Sequence, residues 1–158
     1  MGITTLERVD LIKYLGDIFQ ENSKWQCHVK YLSNKLFRAS GILSKLRYYV
    51  NTQTLLKVYH SLVGSHLNYS LLAWGSASQT TLQPLRVLQN KAIRFIARSP
   101  RFRRLDVDYL NLRLLKLDDM YKLTLAIFFH QYHHNNLPLF FTDFFSKKIY
   151  KPFIRHTL

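Results

Sequence analysis

The stretch Ser23 to Arg47, SKWQCHVKYLSNKLFRASGILSKLR, decides the fold class. Trp25, Val29, Leu32, Leu36, Ala39, Leu43 and Leu46 recur at steps of three and four. That spacing places them on one face of an α-helix, which must be buried against something. Lys24, Lys30, Lys35, Arg38, Lys45 and Arg47 occupy the other faces. Ser23 is suited to cap the start, because a serine hydroxyl can accept from a free first-turn N–H.

Downstream, the chain supplies partners for this stripe. Asn51-Thr52 breaks the pattern and can cap a second helix, with Leu55, Tyr59, Leu62, Val63 and His66 or Leu67 as its apolar face. Gly75-Ser76-Ala77-Ser78 reads as a loop. Thr80 or Thr81 opens a third helix, with Pro84 in its first turn and Leu85, Leu88, Ala92, Ile93 and Ile96 as the buried stripe. Arg86, Asn90, Arg94 and Arg98 step by four along another face, with Lys91 adjacent. Ser99-Pro100 ends this helix, and Arg101, Arg103 and Arg104 follow in a loop. The leucine-rich 105–117 reads as a short helix. Asp118 then caps a helix running to about His134, stopped by Asn135-Asn136-Leu137-Pro138.

Upstream, residues 9–19, VDLIKYLGDIF, carry the β-branched and aromatic content of a strand or a hairpin turning near Gly16-Asp17. Such a hairpin is marginal alone and needs a helix or sheet beside it. The expected fold is mainly α: a helical bundle with a short N-terminal β-strand or hairpin. The expected segments are 1–22, 23–134 and an aromatic, basic tail over 135–158.

The chain has 158 residues, which fits one domain, and 47% apolar residues exclude wholesale disorder. Cys27, the single cysteine, excludes an internal disulfide and reads as a small core residue. Glu7, Arg8 and Asp10 stand where a signal peptide needs an apolar run, and no stretch is apolar enough to span a membrane.

Charge placement is more informative than its sum. The formal charge is +14, from 23 Lys+Arg and 9 Asp+Glu. No acidic residue lies between Glu21 and Asp106, and the whole surplus sits in that block. Such a surplus repels itself unless a polyanion relieves it. Nucleic acid is the first candidate partner and an anionic membrane surface the second; nucleic acid is expected, and no membrane.

Catalytic constellations are sparse. Asp118-Asp119 is the one acidic doublet, and its place at a helix start favours the dipole role over metal-assisted chemistry. His130, His133 and His134 stand at i, i+3 and i+4 without a second ligand cluster, so they read as a solvated helix end. No Gly-rich phosphate loop or nucleophile elbow stands out. No catalytic residue, cofactor or metal is expected. What remains is basic residues interleaved with aromatics: Arg47-Tyr48-Tyr49, and the arginine run Lys91, Arg94, Arg98, Arg101, Arg103 and Arg104. Tyr48 and Tyr49 themselves read as core aromatics. Arginine binds phosphate bidentately.

Tyr14-Leu15-Gly16, then Phe19, Trp25 and His28, resembles a segment of reverse transcriptases from jockey-like non-LTR retrotransposons. The likeness runs through Asn34-Lys35-Leu36, the stretch Gly41 to Val50, Leu55, Tyr59, Ser61-Leu62, His66-Leu67-Asn68-Tyr69, Trp74-Gly75 and Leu88 to Arg94. A weaker match extends from Leu115-Lys116-Leu117 to Leu123. Asp17 departs from the apolar residue usual after the Tyr-Leu-Gly motif.

The resemblance implies a primer-grip-like strand over 1–22 and a helical thumb-like domain over 23–134. The palm motifs with the metal-binding aspartates are absent from this sequence. The chain is thus expected to be a non-catalytic C-terminal piece of an RNA-directed DNA polymerase, binding a primer–template duplex in nucleus or cytoplasm. The expected contacts are Tyr14, Leu15, Gly16, Lys35, Arg38, Lys45, Arg47, Lys91, Arg94, Arg98, Arg101, Arg103 and Arg104. Expected partners are RNA, DNA or their hybrid, with a separate palm-bearing chain or self-association in second place. The rival readings are a helical protein-interaction module and a functionless relic of a degenerate element.

Overall fold

In β1 (Leu11–Tyr14) and β2 (Asp17–Gln20) the chain pairs with itself antiparallel, Tyr14 opposite Asp17 and Leu11 opposite Gln20. The turn is Leu15-Gly16, with φ of 48° and 93°. Positive φ at both central residues gives the twist a two-residue hairpin prefers, and glycine adopts it without strain. The structure, a computed structural model, describes residues 9–21, 24–100, 102–138 and 141.

The first long helix, α1 (Gln26–Leu46), buries Val29, Leu32, Leu36, Ala39 and Leu43, as the stripe predicts. Its start differs from expectation. Trp25 is left-handed (φ 60°) and no local side chain caps the helix; Ser23 lies outside the described residues. The hairpin does the capping instead: Gln20 Oε1 accepts from the Cys27 N–H at 2.8 Å. Cys27 is half-buried rather than in the core, because His28, the next residue, takes the inward position.

Asn51 caps α2 (Thr52–Tyr59), its side chain accepting from the Thr54 N–H at 2.9 Å. This helix runs through a π-helical turn, His60–Gly64, into α3 (Ser65–Asn68). Leu55, Tyr59, Val63 and Leu67 are buried. A spacing of four drifts about 40° per step around an α-helix. The wider π turn takes up that drift, so Leu67 and not His66 faces inward. The short α4 (Leu71–Trp74) follows, with Trp74 fully buried and its Nε1 donating to Tyr69 O at 2.9 Å. A Cβ at Gly75 would overlap the Tyr121 ring and the Leu71 carbonyl, so glycine permits that close approach.

Helix α5 (Gln79–Ala97) opens one residue after Ser78, which caps it by accepting from the Thr81 N–H at 3.2 Å. The expected opening at Thr80 or Thr81 is therefore too late, and Pro84 falls in the second turn. Its missing N–H costs a helix bond there, on an exposed face. Leu82, Leu85, Ala92, Ile93 and Ile96 are buried, Leu88 half so, and Gln89 is an unexpected buried polar residue. Arg98 adopts the left-handed conformation at the C-terminus (φ 52°). The short α6 (Leu105–Leu112) and α7 (Leu117–His133) complete the order.

Helix α1 packs along α5, α2 touches both, β2 lies on α1, and α6 lies on α5. The molecule is therefore mainly helical with a two-stranded antiparallel N-terminal hairpin. The core is one cluster of aliphatic residues with Tyr59, Trp74 and Tyr109.

The chain divides into two units, Met1–Tyr121 and Lys122–Leu158, with the boundary inside α7. In the second unit, Asn135 (φ 54°) ends the helix, and Asn136 N–H and Asn135 N–H return to Gln131 O and Tyr132 O at 2.9 and 3.1 Å. This reversal gives partners to two of the last carbonyls of the helix. Much of the tail expected over 135–158 lies outside the described residues.

Candidate nucleic-acid interface

Many cations of the basic block serve the fold. Arg86 forks onto Asp118, Nε to Oδ2 at 3.0 Å and Nη2 to Oδ1 at 2.7 Å, and its Nη1 donates to Gln79 O at 2.9 Å. Asp118 therefore holds an arginine of α5 and does not cap α7. Arg94 is half-buried, its Nη1 donating to Pro100 O at 3.2 Å, and Arg98 Nη2 donates to Val50 O at 2.8 Å. Arg103 Nε faces buried Asp108 Oδ1 at 3.5 Å, and Arg104 faces Asp106 at 3.7 Å. Arg101 lies outside the described residues.

A second set of cations, exposed Lys91 and half-buried Arg47, meets aromatic rings in a row along the α1–α5 seam. Lys91 Nζ lies 5.8 Å from the Phe37 ring centre and 5.9 Å from that of Phe95. Arg47 Cζ lies 5.3 Å from the same Phe95 centre and 4.6 Å from that of Tyr48. Aromatic and cation thus alternate: Phe37, Lys91, Phe95, Arg47, Tyr48. Ring quadrupoles attract such cations and keep them in place. Tyr48 and Tyr49 are exposed rather than core, because α1 ends at Leu46 and its stripe with it.

Arg47, Lys91 and Arg94 line one groove with Val87, Asn90, Phe95, Ser99 and Leu105, about 720 Å³ in volume. A neighbouring hollow of about 380 Å³ is lined by Arg47, Tyr48 and Arg98. The buried Arg47 Nε has no hydrogen-bond partner among the described residues. The structure thus brings together Arg47, Lys91, Arg94 and Arg98 from the expected set.

The others lie apart. Arg38 and Lys45 are exposed on α1. Lys35 faces the Tyr31 ring at 4.6 Å, with Lys13 of β1 over the same ring at 5.1 Å. Lys35 at the Tyr31 hydroxyl pulls its pKa below the ordinary tyrosine value. Tyr14, Leu15 and Gly16 are exposed at the hairpin tip, where Leu15 O accepts from the Tyr69 hydroxyl.

Sequence reading missed Phe37 and Phe95, the two rings that organise the row. The i, i+4 relation of Lys91 to Phe95 was the available signal. It also missed Gln89, whose Nε2 donates to Tyr59 Oη and Leu115 O, both at 3.0 Å, while its Oε1 accepts from Leu117 N–H at 2.9 Å.

No protein-family model, no curated protein and no solved structure matches the chain. Among the described residues no three or more His, Cys, Asp or Glu side chains are grouped to hold a metal ion. Among them, too, no helix is long and apolar enough to cross a membrane.

Proposed function

We propose that this chain is a non-catalytic nucleic-acid-binding piece of a non-LTR retrotransposon reverse transcriptase, thumb-like in role, that tracks a primer–template duplex through its basic helices. The observation that carries this reading is the positive surface where Lys91 and Arg47 line one groove at the α1–α5 seam, set inside an acid-free block of sequence. Lys91 and Arg47 meet rings there, and among the described residues no carboxylate neutralises them. Arg38 and Lys45 extend the positive surface along α1. The order of the Tyr14-Leu15-Gly16, Trp25, His28 and later matches supports the family assignment.

The test is fluorescence anisotropy with a labelled RNA–DNA primer–template hybrid, titrated from low to physiological salt. Saturable binding with a steep negative salt slope is expected. Replacing Arg38, Lys45 or Lys91 with Ala is expected to flatten that slope by about one unit each, one released counterion per lost phosphate contact. Unchanged slopes in all three variants would sink this reading.

A second reading, a helical protein-interaction module, draws on exposed apolar side chains. Leu11, Ile12, Tyr14 and Leu15 of the hairpin are exposed, and so in the second unit are Leu123, Ile127 and Phe129. A palm-bearing chain or a second copy of this one would cover them.

A further inference from the structure

We infer that the α1–α5 row takes a single-stranded stretch of nucleic acid, its unpaired bases on Phe37, Tyr48 and the groove floor and its phosphates on Lys91 and Arg47. The inference rests on the nucleic-acid reading above and narrows it to one part of the ligand, the unpaired strand that continues from a duplex.

The argument begins with the order of side chains. A single strand presents base, phosphate, base, phosphate to a protein surface. Aromatic faces and cations in alternation match that order, whereas a duplex closes its base faces into the stack. The phosphate backbone of a duplex asks only for cations, and rings placed between them would add nothing. Phe37 is 63% exposed and Tyr48 72% exposed, so each keeps open ring surface beside the cation it holds.

The groove that Lys91, Phe95 and Arg47 of the row help to line fits the same occupant. It is concave, with Val87, Phe95 and Leu105 supplying apolar wall and Arg47, Lys91 and Arg94 supplying charge. Its volume of about 720 Å³ is of the size that small flat ligands occupy. Asn90 lines the groove and its Oδ1 accepts from the Tyr109 hydroxyl at 2.9 Å, so the amide NH₂ is the group that can donate to a ligand. A base edge offers acceptors for it. Asp108, behind Ser99, does not oppose the anion strongly. Ser99 Oγ donates to it and Arg103 stands 3.5 Å away.

The experiment compares a short labelled oligouridylate with a blunt RNA–DNA hybrid, using the full chain and its Phe37→Ser and Tyr48→Ser variants. Each variant is expected to weaken single-strand binding about tenfold at fixed salt, the worth of one stacked base. The hybrid affinity is expected to fall much less, because a blunt hybrid offers these rings phosphates but no open base faces. Saturating the wild-type chain with a 2-aminopurine-labelled single strand is expected to change the fluorescence of the unpaired base. Equal losses on both ligands, no loss on the single strand, or an unchanged 2-aminopurine signal overturns the inference and leaves the duplex reading standing. No salt-dependent binding of either ligand by the wild-type chain overturns both.

Discussion

His28 is buried under the hairpin with its Nδ1 accepting from the Ile18 N–H at 3.2 Å. The neutral ring therefore keeps its proton on Nε2, which faces Asp17 Oδ1 at 3.6 Å. Trp25 and Trp74 flank the ring at 5.8 and 5.9 Å. Burial pushes the His28 pKa below 6.5; Asp17 opposes the shift and Lys35 adds to it. The sign follows. The unfolded chain takes up a proton near pH 6.5 and the folded chain resists it, so stability is full above that pH and falls as pH drops toward the depressed folded value. His66, also lowered by burial, acts in the same direction. The melting temperature, followed by circular dichroism, is expected to be lower at about pH 5.5 than at about pH 7.5, and His28→Asn to shrink the difference. A wild-type melting temperature that holds or rises on acidification would refute this. Asp17 was legible in the sequence as an oddity after Tyr-Leu-Gly. Its partner was not, because nothing local links a strand residue to a histidine on the next helix.

At the scale of elements, two helices are capped from elsewhere in the fold. Gln20 of β2 caps α1, and Gln89 of α5 caps α7 by accepting from the Leu117 N–H while holding Leu115 O and Tyr59 Oη. Buried Gln89 thus ties α2, α5 and the entry to α7 at one point. Gln89→Leu strands a buried N–H, a carbonyl and a hydroxyl at once. The expected cost is about 2–4 kcal/mol, or roughly 5–15 °C in melting temperature for a chain of this size. A loss under about 1 kcal/mol in denaturant titration would show that water replaces these bonds. Local caps such as Asn51 and Ser78 follow sequence rules, since donor and acceptor lie within one turn. Caps supplied in trans depend on packing and leave no periodic trace. The buried stripes of α1 and α5 were legible for the opposite reason: their repeat is the helical turn itself.

For the whole molecule, charge and exposed apolar surface act against each other. A formal charge of +14 keeps copies apart, while the exposed apolar hairpin and α7 side chains favour association. Added salt screens the repulsion, so self-association is expected to strengthen with salt, whereas nucleic-acid binding weakens with it. Sedimentation at several concentrations and two salt levels separates the two behaviours. A strict monomer throughout would remove the self-association reading.

Helical periodicity, a strand or hairpin near the N-terminus, and the confinement of the positive surplus between Glu21 and Asp106 are all readable from the residues alone. Each is a local or compositional property, set by the turn of the helix or the count of residues. Which cations meet a carboxylate and which meet a ring depends on packing between distant segments. Asp106, Asp108 and Asp118 lie beyond the basic block in sequence, yet Asp106 engages Arg104 and Lys116, Asp108 engages Arg103, and Asp118 engages Arg86. Lys91 and Arg47 meet aromatic rings instead, because the packing of α1 along α5 brings Phe37 and Phe95 to them and no carboxylate among the described residues pairs with either.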